Sequence, residues 1–561
     1  MSQNRRRAAT RLLRPPPFPW AKEPKAKRAS APNPSSDLDR GAVFAALREA
    51  RVGGDFWGAE WTRKAAQRNP SAPITIVRTD RRHGAADAVA AAEGEEFEFV
   101  APHNGDEAID PWSALAGADH RIAHGKDEWI ALASVLGVRV TVLSAGRFGE
   151  PGHSSEDLEQ RAFEALREPM RDPFGEGWLE PIAAIETLGD WRRTLDGNRG
   201  ASGERIVAAC GMSWWKRDEI RRFLWSPGSP LRIARSDRHA LDVATKQGGS
   251  LAVWPSRVAS ELEEVASARG VKLVRVEDGF VRSVGLGSNL VPPLSIIVDR
   301  QGIHYDPSQP SDLETLLATT QFSHAMLERA ERLRAAIVKA GISKYASGEG
   351  SRTSAGEKSS QDRRVVLVPV QVEDDMSVLA GGGGLTSNLE LLRRVRALEP
   401  EADIWWRPHP DVDAGHRKGA VADDEALQHA DRIVREGAMS DLLSQADSLH
   451  TITSLSGFEA LMRGCEVTCH GVPFYSGWGL TRDLGNVPSR RERCLSLAEL
   501  IAGVLVLYPR YLDPVTGLPC PPEILIRRLA SGDAANRLSW VEPIRRVQGQ
   551  ITRRLRALVA R

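Results

Sequence analysis

The sequence predicts an α/β fold: a pair of Rossmann-type lobes with a central cleft, preceded by an N-terminal partial α/β unit. Three observations carry this. Short β-rich runs alternate with helical stretches from Gly203 to Gln321 and again from Val365 to Cys469, the pattern of parallel, doubly wound sheets. Between them lies Ala346–Asp362, rich in Ser, Gly and charge, which reads as a flexible linker. Finally, 561 residues are too many for one hydrophobic core.

Taken in order, residues 1–40 hold ten Lys/Arg, three acids and seven prolines, and are expected to be a disordered basic tail. Residues 41–199 form the partial unit, with helices at Ala42–Arg51 and Asp127–Leu136 and strands at Ile74–Arg78, Phe97–Val100 and Val138–Leu143. The first lobe, 200–345, has strands at Arg205–Ala209, Leu231–Ala234, Leu251–Trp254 and Val271–Val276, separated by helices near Lys216–Leu224, Asp237–Lys246 and Ser256–Arg269. A helix at His324–Ala340 closes it. After the linker, 346–362, the second lobe, 363–535, runs through Val365–Pro369, a helix at Asn388–Leu398, Asp403–Arg407, a helix near Met439–Gln445, and strand–helix–strand from His450 to Cys469. Two such lobes facing a cleft form the GT-B-like arrangement, which many two-lobed binding proteins share. In residues 536–561, Ile544, Val547, Ile551, Leu555 and Leu558 recur at helical spacing, and six arginines follow Pro543. A basic amphipathic helix of this kind suits an anionic membrane surface, or docks on its own domain. Ala133–Thr141 can also be laid on Ala460–Thr468, a helix–Gly–strand match that chance produces too.

Composition narrows the function. A net charge of +1 gives no general attraction to nucleic acid. Five cysteines without CxxC spacing favour a reducing, cytoplasmic compartment and no structural zinc. No run is long and apolar enough to span a bilayer.

The candidate chemistry sits where strands should end, the ligand-binding edge of open α/β sheets. Glu277 and Asp278 follow the Val271–Val276 run and precede Gly279, Arg282 and Ser283. Two acids sharing a confined site suit acid/base or nucleophilic work; a surface turn accounts for the same pattern. In the second lobe Gln371 opens a polar loop, and Pro408-His409-Pro410 places a histidine after a strand, beside Arg407, as phosphate donor or proton shuttle. Ser454, Ser456 and Gly457 open a helix whose N-terminus would favour an anion, with Glu459 in its first turn. Tyr475 and Trp478 lie in a glycine-rich loop, as faces for a sugar ring or as an aromatic plug between lobes. Gly381–Gly384 lacks the Lys and Ser/Thr of a P-loop, and the acids of the Gln371–Ser377 loop form no DxD triplet and have no His-rich ligand set beside them, so no required metal is expected.

Together these stretches resemble the bacterial β-Kdo transferases of capsular polysaccharide biosynthesis (KpsC/LipB type). The likeness runs from about Ile206 to Tyr511 through Gly211-Met-Ser-Trp-Trp-Lys216, Glu277–Ser283, Pro292-Pro-Leu-Ser295 with Asp299, Tyr305-Asp-Pro307, Pro369–Asp375, Pro408–Asp411, Ser456–Ala460, Pro473–Thr481 and Tyr508-Pro-Arg-Tyr511. It implies a glycosyltransferase that moves Kdo from CMP-β-Kdo to a glycolipid or Kdo-primed acceptor, with retention of configuration. Asp278 would attack the sugar and Glu277 would tune it or handle a proton. His409, by a further likeness to bacterial sialyltransferases, would meet the CMP phosphate, and Ser454, Ser456 and Glu459 would hold the nucleotide. Arg282 and Arg407 would meet the donor's anionic groups. Composition places such an enzyme in the cytoplasm, and the basic amphipathic C-terminus would let it lie peripherally on the inner membrane. Transfer of another CMP-nonulosonic acid, or a non-catalytic capsule assembly or export scaffold, are the alternatives. Residues 41–199 lack both the His-Pro and the Glu-Asp-Gly signatures, so one active site is expected.

Overall fold

The computed structural model describes residues 11–21, 37–61, 74–78, 87, 90–92, 97–100, 103–104, 107–175, 177–200, 204–281, 292–343, 363–415 and 417–533. Arg282, Ser283, the expected linker 346–362 and the basic segment 536–561 lie outside them. The chain divides into two compact units, residues 1–202 with 224–230, and 203–223 with 231–561. Among the described residues no helix is long and apolar enough to cross a membrane.

The first unit is built on a parallel four-stranded sheet in the order Phe97–Val100, Thr75–Arg78, His120–Ala123, Arg139–Val142. Helix Trp129–Val135 is buried along its whole length, and helices Arg40–Ala50 and Pro181–Arg199 pack on each other. The expectation of disorder fails for residues 11–21. Leu12, Leu13 and Phe18 are buried, Phe18 meets Trp191 and Trp225 at ring separations of 5.2 and 4.8 Å, and Arg14 donates to both Asp55 and Glu128. A few well-spaced apolar residues anchor a segment whose average composition is that of a tail.

The second unit holds both large sheets. The first lobe's sheet runs Arg232–Ile233, Ile206–Cys210, Ser250–Val253, Leu273–Asp278, Ser295–Asp299, Pro509–Leu512, Pro519–Cys520. Its first four strands are parallel and the remaining pairings antiparallel. The second lobe's sheet is parallel throughout: Arg432–Ile433, Asp403–Arg407, Val365–Pro369, Ser448–Thr451, Glu466–Cys469, Arg482–Asp483. Near-continuous apolar strands such as Val365–Pro369, buried at all positions, are what helices on both faces demand.

The chain therefore crosses back. Residues 509–520, expected in the second lobe, complete the first lobe's sheet, and helix Pro522–Ala530 follows them there, with Glu523 accepting two hydrogen bonds from Arg329 of helix His324–Lys339. Tyr508, buried, donates to Asp299 Oδ2 at 2.6 Å. Asp299 also accepts from the N–H groups of Gln301, Gly302 and Asp312. Burial, then the charge of Asp312, pushes its carboxyl pKa up against these hydrogen bonds.

Aromatic rings join the lobes: Phe280 meets Phe474 at 4.6 Å and His304 at 5.0 Å, and Phe458 meets Phe474 at 5.7 Å. Beside them Arg491 pairs with Glu314 of helix Asp312–Thr319 at 2.9 Å and donates to the carbonyls of Pro473 and Ser476. Gly137 and Gly464, the junctions aligned between residues 133–141 and 460–468, both have positive φ, and so does Gly270. At each, the next N–H closes onto the carbonyl four residues before the glycine: Val138 on Ala133, Cys465 on Ala460, Val271 on Ala266. The match thus reflects a common local geometry.

His450 and His470, both buried, lie 3.2 Å apart, Nδ1 to Nε2. Burial first, then its neighbour, pushes His450 down to about 3, and burial pushes His470 down to about 4. Glu399 Oε1, 3.6 Å from His450 Nε2, favours charge, but burial outweighs it. Both folded-state values lie below the ordinary 6.5 of an unfolded histidine, so the pair's contribution is fully present above about pH 6.5 and is lost as pH falls through about 4 for His470 and about 3 for His450. Urea unfolding at a series of pH values should show this decline, and His470→Asn should reduce its slope by up to about 1.4 kcal/mol per pH unit.

Candidate functional site

In the first lobe three neighbouring strands end side by side. Ile206–Cys210 leads to the short turn Trp214–Lys216, Ser250–Val253 to Trp254, and Leu273–Asp278 ends in the two acids. Lys216 Nζ donates to Asp278 Oδ1 at 2.8 Å and lies 3.7 Å from the centre of the Trp254 ring.

The acids themselves part company. Both belong to the strand, opposite Ile297 and Ile296, and consecutive strand residues point to opposite faces. Asp278 turns to Lys216. Glu277 accepts from the Asp278 N–H at 3.1 Å, and its charge acts with that of Asp375 on Tyr305, whose phenol pKa rises mainly through burial. The expectation of two carboxylates sharing one site is therefore corrected by the period of the strand. Gly279 is required by the next crossing: a Cβ there would lie 2.3 Å from Ser295 Oγ.

The second lobe repeats the plan with Asp403–Arg407, Val365–Pro369 and Ser448–Thr451, adjacent in its sheet. His409 caps the turn Pro410–Asp413, its Nδ1 accepting from the Asp411 N–H at 3.2 Å. In the neutral ring that places the proton on Nε2. Gln371 is a buried clamp. Its Oε1 accepts from Thr451 Oγ1, Ile452 N and Thr453 N at 3.0, 3.1 and 3.0 Å, and its Nε2 donates to Thr453 Oγ1 at 3.1 Å. Ser454 caps helix Leu455–Met462, accepting from the Ser456 N–H at 3.2 Å, and its hydroxyl meets that of Ser456 at 3.2 Å. Glu459 is buried and lines a pocket with Phe280, Val281, Leu455 and Met462, where the helix meets the segment after Asp278.

Four expectations change. Tyr475 and Trp478 are fully buried. Tyr475 Oη donates to the Ser454 carbonyl at 2.5 Å and Trp478 Nε1 to that of Phe474 at 2.9 Å. They are the aromatic plug and offer no face to a sugar. Gly457 makes room for this plug: a Cβ there would stand 2.2 Å from Tyr475 Oη. Arg407 spends its guanidinium on the carbonyls of Val434, Glu436 and Gly437, each at 2.9 Å, and burial lowers its pKa against the charge of Asp413. It holds a loop where an anion contact was expected.

The sequence profile of the capsule polysaccharide biosynthesis proteins matches residues 250–511, which include Glu277, Asp278, His409 and the 451–459 segment. The lipopolysaccharide-processing protein LpsZ of Rhizobium meliloti is 39% identical over 340 residues, 59% of this chain and 76% of that protein. The chain belongs to the capsule polysaccharide biosynthesis family. The capsule polysaccharide modification protein LipA of Neisseria meningitidis serogroup A is 42% identical over 332 residues, and this family member spans only 46% of its length. Among solved structures, the β-Kdo 2,4 transferase of Thermosulfurimonas dismutans KpsC is 33% identical, with a TM-score of 0.51 over 59% of this chain and 99% of that one.

Within this capsule-family fold the structure groups His409, Gln371, Ser454 and Ser456 at one set of strand ends and Asp278 at the other. Lys216, Trp254 and Tyr305 were missed as site residues. Lys216 stands at the end of the Gly211–Lys216 motif and Tyr305 opens Tyr305-Asp-Pro307, so the signal was present as motif membership. Removing the Gln371 side chain strands three buried donors. Gln371→Ala should lower the unfolding free energy by about 1–3 kcal/mol in urea melts and speed amide exchange at Ile452 and Thr453. Unchanged exchange at both would show that another group holds the loop.

Proposed function

We propose that this chain is a retaining glycosyltransferase that moves Kdo from CMP-β-Kdo to a lipid-linked or Kdo-primed glycan acceptor in capsule assembly. The observation that carries the reading is the match to a β-Kdo transferase chain along 99% of that chain's length. The strand-end groups supply a chemistry for it. An oxygen of Asp278 attacks the anomeric carbon, the bond from that carbon to the phosphate oxygen breaks, and CMP departs with the electron pair. The acceptor hydroxyl then attacks the same carbon, its proton passing to water, while the bond from that carbon to Asp278 breaks and returns its electron pair to the carboxylate. Two inversions give retention. An oxocarbenium-like transition state is stabilised by a carboxylate beside the anomeric carbon.

His409, with its proton on Nε2, is assigned to the departing phosphate. The helix start at Ser454–Ser456 would supply N–H donors and the positive end of a helix to the same anion. Gln371 would act from behind, setting the loop that delivers Ser454. Glu277, turned to the other face, is better suited to act through Tyr305 than to tune Asp278. CMP carries a single phosphate, so protein donors can serve without a metal clamp.

The test is incubation of the full chain with CMP-Kdo and a Kdo-primed acceptor, in the presence and absence of EDTA. Wild type should release CMP and form product in both. Asp278→Ala should lose at least about 10³-fold in kcat, as expected when a group acting only in the transition state is removed. Undiminished transfer by Asp278→Ala would remove it from the mechanism. Turnover of CMP-sialic acid but not CMP-Kdo would move the donor to another nonulosonic acid.

A further inference from the structure

The site holds a cation that the proposed chemistry leaves unassigned. Lys216 leaves the Ile206–Cys210 strand through one tight turn and reaches Asp278 Oδ1 at 2.8 Å, with its ammonium 3.7 Å from the Trp254 ring centre. The two side chains keep only 13% and 24% of their exposure, and Trp254 is buried. An ammonium is a flexible, strongly hydrated charge. Here an ion pair on one side and an aromatic face on the other fix its position.

We propose that Lys216 is a positioning and specificity-determining residue whose ion pair passes from Asp278 to the sugar's own carboxylate during the reaction. The inference rests on Asp278 as nucleophile in the reading above. In the resting site the ammonium favours the ionised, attacking form of Asp278. When an Asp278 oxygen bonds to the anomeric carbon and CMP leaves with the electron pair of the broken bond, Asp278 becomes a neutral ester. Lys216 then loses the negative charge it was paired with. A 2-keto acid sugar carries its carboxylate on that same anomeric carbon, so a replacement charge arrives beside the ammonium as the bond forms. A neutral sugar brings none and would leave a largely buried ammonium without that charge partner. The Lys216–Asp278 pair thus selects donors with a carboxylate on the reacting carbon.

The experiment compares wild type with Lys216→Met, Lys216→Arg and Asp278→Ala as full chains, using CMP-Kdo and its carboxylate methyl ester as donors, with a melting curve for each. Wild type should prefer the acid over the ester by roughly 10²-fold in kcat/KM, the scale of one preorganised charge at a reacting centre. Lys216→Met should lose a similar factor on CMP-Kdo, discriminate little between the two donors, and show the acid limb of its kcat profile moved to higher pH. Lys216→Arg should restore part of the rate and of the preference. If Lys216→Met fails to fold, the acid-to-ester ratio of Lys216→Arg and of Lys216→Gln carries the same comparison. A folded Lys216→Met with the wild-type donor ratio or pH profile overturns the proposal while leaving the transferase reading intact. A wild type that turns over neither donor overturns both.

Discussion

The hydrogen bond from Tyr508 to Asp299 sits where the chain, having completed its second lobe, rejoins the first. Everything around the candidate nucleophile depends on that return. Asp299 ends the strand that pairs with Leu273–Asp278, and Tyr508 precedes the strand that pairs with Ser295–Asp299. A buried carboxylate is costly unless its lone pairs are engaged, and here backbone N–H groups and a phenol engage them. The result is a mixed sheet in which Asp278 is carried on an interior strand, flanked by hydrogen-bonded neighbours on both sides.

The two lobes build their halves of the site alike. Each uses three adjacent strand ends, with a reactive or charged group on the outer two and a supporting group between. Trp254 fixes Lys216 beside Asp278, and Gln371, after the strand that lies between those leading to His409 and Ser454, fixes Thr451–Thr453 just ahead of Ser454. The buried Glu314–Arg491 pair and the Phe280–Phe474 contact act in the same sense between lobes, because they hold the loop at 473–476 against the first lobe. Rigid support of this kind is what a site needs if its charges are to be in place before substrate arrives.

Much of the fold was legible. Val365–Pro369, Asn388–Leu398 and Asp403–Arg407 have the bounds read from the sequence, because runs that are apolar throughout and stopped by proline or capped by serine leave little freedom. The cross-over was not legible, since Pro509–Leu512 finds its partner some 200 residues away and no local pattern encodes that pairing. Nor was the order in residues 11–21, where Leu12, Leu13 and Phe18 are too few to register against the surrounding prolines and arginines. At the candidate site, the strand ends were legible in the sequence and the directions of their side chains were not. Tyr475 and Trp478 belong to the buried plug, Arg407 turns its guanidinium to the carbonyls of Val434, Glu436 and Gly437, and the neighbouring acids face apart, all matters of orientation that composition and spacing leave open.

The returning strand also has a consequence for synthesis on the ribosome. Ser295–Asp299 is buried at every position, yet its outer partner, Pro509–Leu512, is made some 200 residues later. At ordinary elongation speeds that delay is roughly 10–40 s. Throughout it the nascent first lobe presents an apolar, unpaired β-edge of the kind that invites pairing with other chains. The nascent chain therefore needs shielding, by a chaperone or by its own second lobe, before the sheet that carries Asp278 can close.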